Sequence, residues 1–160
     1  MNGSRGNKAF DASEKPDRGE VFLSLGTAQR MLPLVQRIVE DILTNQKTLD
    51  SLMPEQERLC RQRRQLAWPE RQRRYGLQEE ITRAERNLEE AHEEMQVLGL
   101  TLLDPEIGRV GFPTLVNDRR AFFSWRPGED GLHSWHFAEE SLCRPIPSAW
   151  RNEVSLARKS

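Results

Sequence analysis

Residues capable of chemistry crowd into one short run. Phe122–His136, FFSWRPGEDGLHSWH, holds two of the chain's four tryptophans, two of its three histidines and the acids Glu129 and Asp130. Together with Arg144, the residues Trp125, Glu129, Trp135 and His136 supply an aromatic wall, a carboxylate, an imidazole and a guanidinium. Such a set can bind a small polar or anionic ligand, with Arg144 as a fork and His136 as donor or base. The same residues also have a plainer use. The tryptophans would be core, Gly128 would serve a turn, and Glu129 with Arg144 would be an ion pair holding the tail to a sheet. The weight falls on this structural use. A metal site is weaker still, because His133 and His136, three apart, point to opposite faces of a strand. A metal needs three or four convergent ligands. The sequence contains no nucleophile–base pair, glycine-rich phosphate loop or paired-carboxylate motif. No catalytic residues and no cofactor are therefore assigned, and the chain leans away from being an enzyme.

A second group is cationic. Seven arginines (Arg58, Arg61, Arg63, Arg64, Arg71, Arg73 and Arg74) lie within seventeen residues that hold one acid, Glu70, and Trp68 and Tyr75 stand beside them. Arginine with aromatics can reach an RNA backbone, or dock on an acidic protein surface. The remaining reading is self-pairing. Glu79, Glu80, Glu85, Glu89, Glu90, Glu93 and Glu94 follow in the same arm against Arg83 and Arg86. Two copies packed antiparallel would set each basic end beside a neighbour's acidic one. A homo-dimer or a protein partner is favoured over nucleic acid.

The elements that must position these groups follow from periodicity. One seam runs Ala28, Val35, Ile42, Leu49, Gln56 and Arg63, the other Met31, Ile38, Asn45, Leu52, Leu59 and Leu66. A period of 3.5 predicts a coiled-coil helix over 24–67, with Ser24 as N-cap and Asn45 as a register-fixing polar residue. Pro33 and Pro54 fall on its outer face, which favours one kinked helix over two. Leu77, Ile81, Ala84, Leu88, Ala91, Met95 and Leu98 predict a second helix over 69–98. Between them Pro69 holds Trp68 extended and puts a turn near Ala67–Trp68. The product is an antiparallel hairpin with arms of about 60 Å and about 45 Å. Its longer arm would leave Leu32, Leu34, Val39 and Leu43 open at the base.

The pattern then changes to period two. GRVGFPTLV, RRAFFSWR and LHSWHFA are β-type runs split by ND and PGEDG, which predicts a three-stranded antiparallel meander. Thr101–Leu103 or Val21–Leu23 can add at an edge, and RPIPSAW forms an extended wrap. The fold class is α+β, mainly α: a long helical hairpin with a small β-head over 101–150 that covers the open base. A single domain is expected over 21–150, with a disordered tail at 1–20 and a loose one at 151–160.

Composition narrows the classes. Charged residues make up 31% and the formal net charge is −1, which argues against coating nucleic acid or a membrane over the whole surface. Arginines outnumber lysines 20 to 4, a bias best read as base composition. Cys60 and Cys143 build neither a disulfide framework nor a zinc spacing. Without an apolar leader or a membrane-length apolar run, a cytoplasmic location is expected.

The order LSLGTAQRMLPLV, a heptad hairpin, LGLTLLDPEIGRVGFP, FFSW, GE, WH and RPI resembles the bacterial domain-of-unknown-function family 2203, over about Phe22 to Pro147. The resemblance implies no activity. The family pattern has an acid before Phe-Pro, a cysteine before the first tryptophan and a glycine ahead of the final arginine. Here those places hold Gly111, Ser124 and Ser141-Leu142. Any chemistry that depended on that acid or thiol would be lost in this chain. Trp125, Gly128, Glu129, Trp135, His136 and Arg144 keep the pattern.

Overall fold

The computed structural model describes residues 20–151, so nearly all of the two expected tails lies outside the described residues. Helix α1 spans Leu25–Arg61 and α2 spans Trp68–Val97. Ser24 starts α1 as expected, its hydroxyl accepting from the Thr27 amide at 3.2 Å. That bond satisfies one of the amides a helix start leaves unpaired. The helix is unbroken through Pro33 and Pro54, both exposed.

The arms pack antiparallel along the expected seam. Leu49 meets Ile81 and Ala84, and further out Leu59 and Leu66 close on Leu77. Three expectations need correction here. The first helix ends at Arg61 and not near residue 67, because Leu66 folds back to cover the end of the seam. Arg63 is therefore an exposed turn residue. The extended residue before α2 is Ala67 (φ −67°, ψ 163°), and Trp68 already belongs to the helix. Asn45 does not fix register across the seam, since its amide donates to the Asp41 carbonyl one turn back at 2.7 Å.

Five strands follow where three were expected: β1 Thr101–Asp104, β2 Arg109–Val116, β3 Arg119–Trp125, β4 Ser134–Phe137 and β5 Arg144–Pro145. They form one sheet in sequence order with every neighbouring pair antiparallel. The β2–β3 turn has Asn117 at φ 54° and Asp118 at φ 62°, the left-handed pair that suits strand twist in a two-residue hairpin. β1 takes the foreseen edge. Val21–Leu23 is not a strand, although the Leu23 amide donates to the Pro113 carbonyl at 2.7 Å. β5 comes from the expected wrap, whose Arg144 pairs with Trp135.

The sheet covers the open base of the hairpin. Val110, Phe112, Ala121, Phe123, Trp125, Trp135 and Phe137 pack on Leu32, Val35, Val39 and Ile42 of α1 and on Ala91 and Met95 of α2. Leu32 and Val39 are buried and Leu43 is half-buried, as the widened stripe requires. Leu34 is the exception, 42% exposed on the outer side.

Candidate functional site

Strand alternation decides how the head residues are shared out. Trp125 and Trp135 face the helices and are 2% and 7% exposed. His136 pairs with Phe122 and so points to the opposite face, its ring centroid 5.6 Å from that of Phe122. The His136 Nδ1–H donates to the Phe137 carbonyl at 2.9 Å. A carbonyl can only accept, so this bond leaves Nε2 as the basic nitrogen of the neutral ring.

Glu129 is used by its own turn. Its carbonyl accepts from Trp125 Nε1 at 3.0 Å and its Oε1 from the Arg126 amide at 2.9 Å. Gly128, at φ 102°, makes the turn possible. The expected Glu129–Arg144 ion pair does not form. Arg144 instead binds Glu140 at 3.0 Å and stacks 5.2 Å from the Trp135 ring and 5.1 Å from Phe137. Register thus puts His136 on the face of the sheet opposite Trp125 and Trp135. A groove of about 300 Å³ beside Trp125 and Gly128 is completed by Gln36, Val39, Glu40, Leu43 and Pro127 and includes none of the other four.

The histidines are also separated. His133 Nε2 lies 2.7 Å from Asp130 Oδ1, and this hydrogen bond holds the Asp130 carboxyl below its usual range. Among the described residues no group of three or more His, Cys, Asp or Glu could hold a metal ion. None of the described helices is long and apolar enough to cross a membrane.

Sequence reasoning missed what lies on the outer face of the sheet. Gly111 pairs with Ser124, and Ser124 lies diagonal to His136 across β3 and β4, all three on that face. Ser124 and His136 are 3% and 6% exposed. A Cβ at Gly111 would stand 2.8 Å from Phe122 Cδ1 and 3.0 Å from Leu103 Cδ1. Two side chains therefore fill the space that an acid there would need. Gly111 and Ser124 are thus neighbours of His136 on that face. Strand register is the signal that could have shown this. Arg109, from the same strand as Gly111, has its Nε buried without a hydrogen-bond partner among the described residues.

At the far end of the hairpin the arginines divide into two sets. Arg73 grips Glu55 through Nε and Nη2, both at 3.1 Å, and lies 3.9 Å from Glu80. That fork lowers the Glu55 carboxyl and raises the Arg73 guanidinium from their ordinary values. Arg58 reaches Glu70 at 3.9 Å. Arg61, Arg63, Arg64, Arg71 and Arg74 have no acidic partner among the described residues. Arg61, Arg63 and Arg64 line a groove of about 390 Å³ with Cys60, Gln62 and Gln65. Arg71 stands 6.0 Å from the Trp68 ring and Arg74 6.0 Å from Tyr75. Both rings are 62% exposed.

Residues 22–143 match the sequence profile of DUF2203, described as an uncharacterized conserved protein. No curated protein and no solved structure gives a significant match.

Proposed function

The chain belongs to the uncharacterised conserved protein family DUF2203, and from its geometry we propose that it is a non-catalytic interaction protein whose contact element is the helical hairpin. One observation carries the reading. The hairpin tip holds five arginines without acidic partners among the described residues, beside two largely exposed aromatic rings. Arginine, tryptophan and tyrosine are the residue types enriched where proteins bind partners. The head supports this by contrast, since Trp125, Glu129 and Arg144 already have partners within it. In this reading the head closes the hairpin base and the tip meets an anionic surface.

The test is site-specific photo-cross-linking in the native cell, with a cross-linking amino acid at Tyr75 or, on the head, at the exposed Leu142. Adducts are expected from Tyr75 and are expected to vanish when Arg64, Arg71 and Arg74 become glutamine. Adducts from Leu142 alone would overturn the reading. An RNA adduct at Tyr75 would identify the anionic surface as a phosphate backbone, with a steep salt dependence of binding.

A further inference from the structure

We infer that the surface the hairpin meets is a second copy of this chain, docked antiparallel along the outer face of α2 with the twofold axis between Thr82 and Arg83. The inference rests on the reading of the hairpin as a contact element.

The charge order of α2 is the first argument. Its opening turns carry Arg71, Arg73 and Arg74 against one acid, Glu70, its closing turns carry Glu89, Glu90, Glu93 and Glu94, and no basic residue stands in the last turn. A helix dipole favours the reverse, acids at the N-terminus and bases at the C-terminus. Helix α1 does not offset this, since its end at the tip adds Arg58 and Arg61. Nor do the acids find partners at home: Glu89, Glu90, Glu93 and Glu94 have no ion pair among the described residues. An antiparallel copy supplies what the monomer lacks, setting each basic end beside an acidic end.

Exposed apolar residues give the face. Trp68 and Tyr75 at one end and Val97 at the other are 62%, 62% and 86% exposed. They follow one line along the helix, in steps of seven and four through Thr82, Arg86 and Glu93. That line lies opposite the buried Leu77, Ile81, Ala84, Ala91 and Met95. Trp68 and Val97 share their midpoint between Thr82 and Arg83. A twofold axis there pairs Trp68 with Val97, Arg71 with Glu94, Tyr75 with Glu90 and Glu79 with Arg86. Such self-complementarity is what a closed twofold interface requires. At the midpoint lies a groove of about 310 Å³ lined by Gln78, Glu79, Thr82, Arg83 and Arg86, open to receive the crossing side chains.

Size sets the strength. A strip about 45 Å long and about 10 Å wide on each copy gives an interface of about 900 Å² in all, at the low end for specific complexes. The dimer is therefore reversible and salt-sensitive. Sedimentation velocity of the full chain up to about 500 µM should show it, about tenfold weaker when salt rises from about 50 to about 500 mM. Arg71→Glu and Glu94→Arg should each weaken association about tenfold, and the two together should restore it. With Cys60 and Cys143 replaced by serine, Thr82→Cys should form a disulfide dimer and Trp68→Cys should not. A parallel pair would cross-link at both.

A monomer at every concentration overturns the inference, as does a dimer indifferent to the charge swap or cross-linked through Trp68→Cys. If the chain is monomeric while Tyr75 still yields arginine-dependent adducts to another molecule, the partner is wrong and the contact element stands. If those adducts fail as well, both fall.

Discussion

Gly108 is where the head is locked to α1, and its replacement by alanine tests that joint. The residue sits at φ 81° in the turn between β1 and β2, its amide donating to the Asp104 carbonyl at 2.9 Å. Two costs arise from the substitution. A left-handed backbone costs a non-glycine residue about 1–2 kcal/mol. The added Cβ would stand 2.7 Å from Val39 Cγ1, 3.1 Å from Leu43 Cδ1 and 3.3 Å from Pro127 Cγ. Val39 is 1% exposed, so this overlap costs about 1–3 kcal/mol. Stiffening of the unfolded chain returns only about 0.4–1 kcal/mol. The net expectation is a loss of about 3 kcal/mol, or roughly 10 °C in Tm for a domain of this size. Urea unfolding followed by helix ellipticity and tryptophan fluorescence would measure it. Val39→Ala alone should cost about 2 kcal/mol, from two lost methyls and the space they leave. In the double variant the main overlap is gone, so the costs should fall short of additivity by about 1–2 kcal/mol. A loss below about 1 kcal/mol for Gly108→Ala, or strict additivity with Val39→Ala, would refute the assigned packing.

Two further outcomes follow from local geometry. The Arg73 fork lowers the Glu55 pKa in the folded chain. Its contribution is therefore fully present above the ordinary glutamate value and lost as pH falls through the lowered one. A carboxyl titration by NMR should place Glu55 below the other glutamates of the tip, and Arg73→Gln should bring it back up; an unchanged value in that variant would discount the ion pair. On the outer sheet face, Gly111→Asp should lower Tm because its Cβ runs into Phe122 and Leu103, and Phe122→Ala in the same chain should recover part of the loss. No recovery would mean that the acid is rejected for another reason, such as its desolvation.

The hairpin was legible because helix burial repeats with the sequence itself. Ala28, Val35, Ile42 and Leu49 each recur at a fixed interval and each is buried. The ND turn was legible for a local reason too, since Asn117 and Asp118 tolerate a positive φ better than most residues. The end of the first arm was not. The heptad continues formally to Leu66, but whether Leu66 extends a helix or folds back over Leu59 and Leu77 is decided by the partner helix and not by the repeat.

The candidate site divides in the same way. The basic tip could be read directly, because seven arginines within seventeen residues are close whatever the fold does. Which of them meet an acid could not, because Arg73 meets Glu55 only after the chain has turned back on itself. In the head, spacing brought Trp125, Glu129, Trp135, His136 and Arg144 together on paper. Strand register then placed His136 on one face and the tryptophans on the other. Sequence alone thus determined the elements, their order and where charge accumulates, since each depends on residues near one another in the chain. Tertiary structure decided which charged groups pair with one another and which have no oppositely charged partner among the described residues. Those facts depend on contacts between distant residues, such as Leu23 with Pro113 and Gly108 with Val39, that no local pattern encodes.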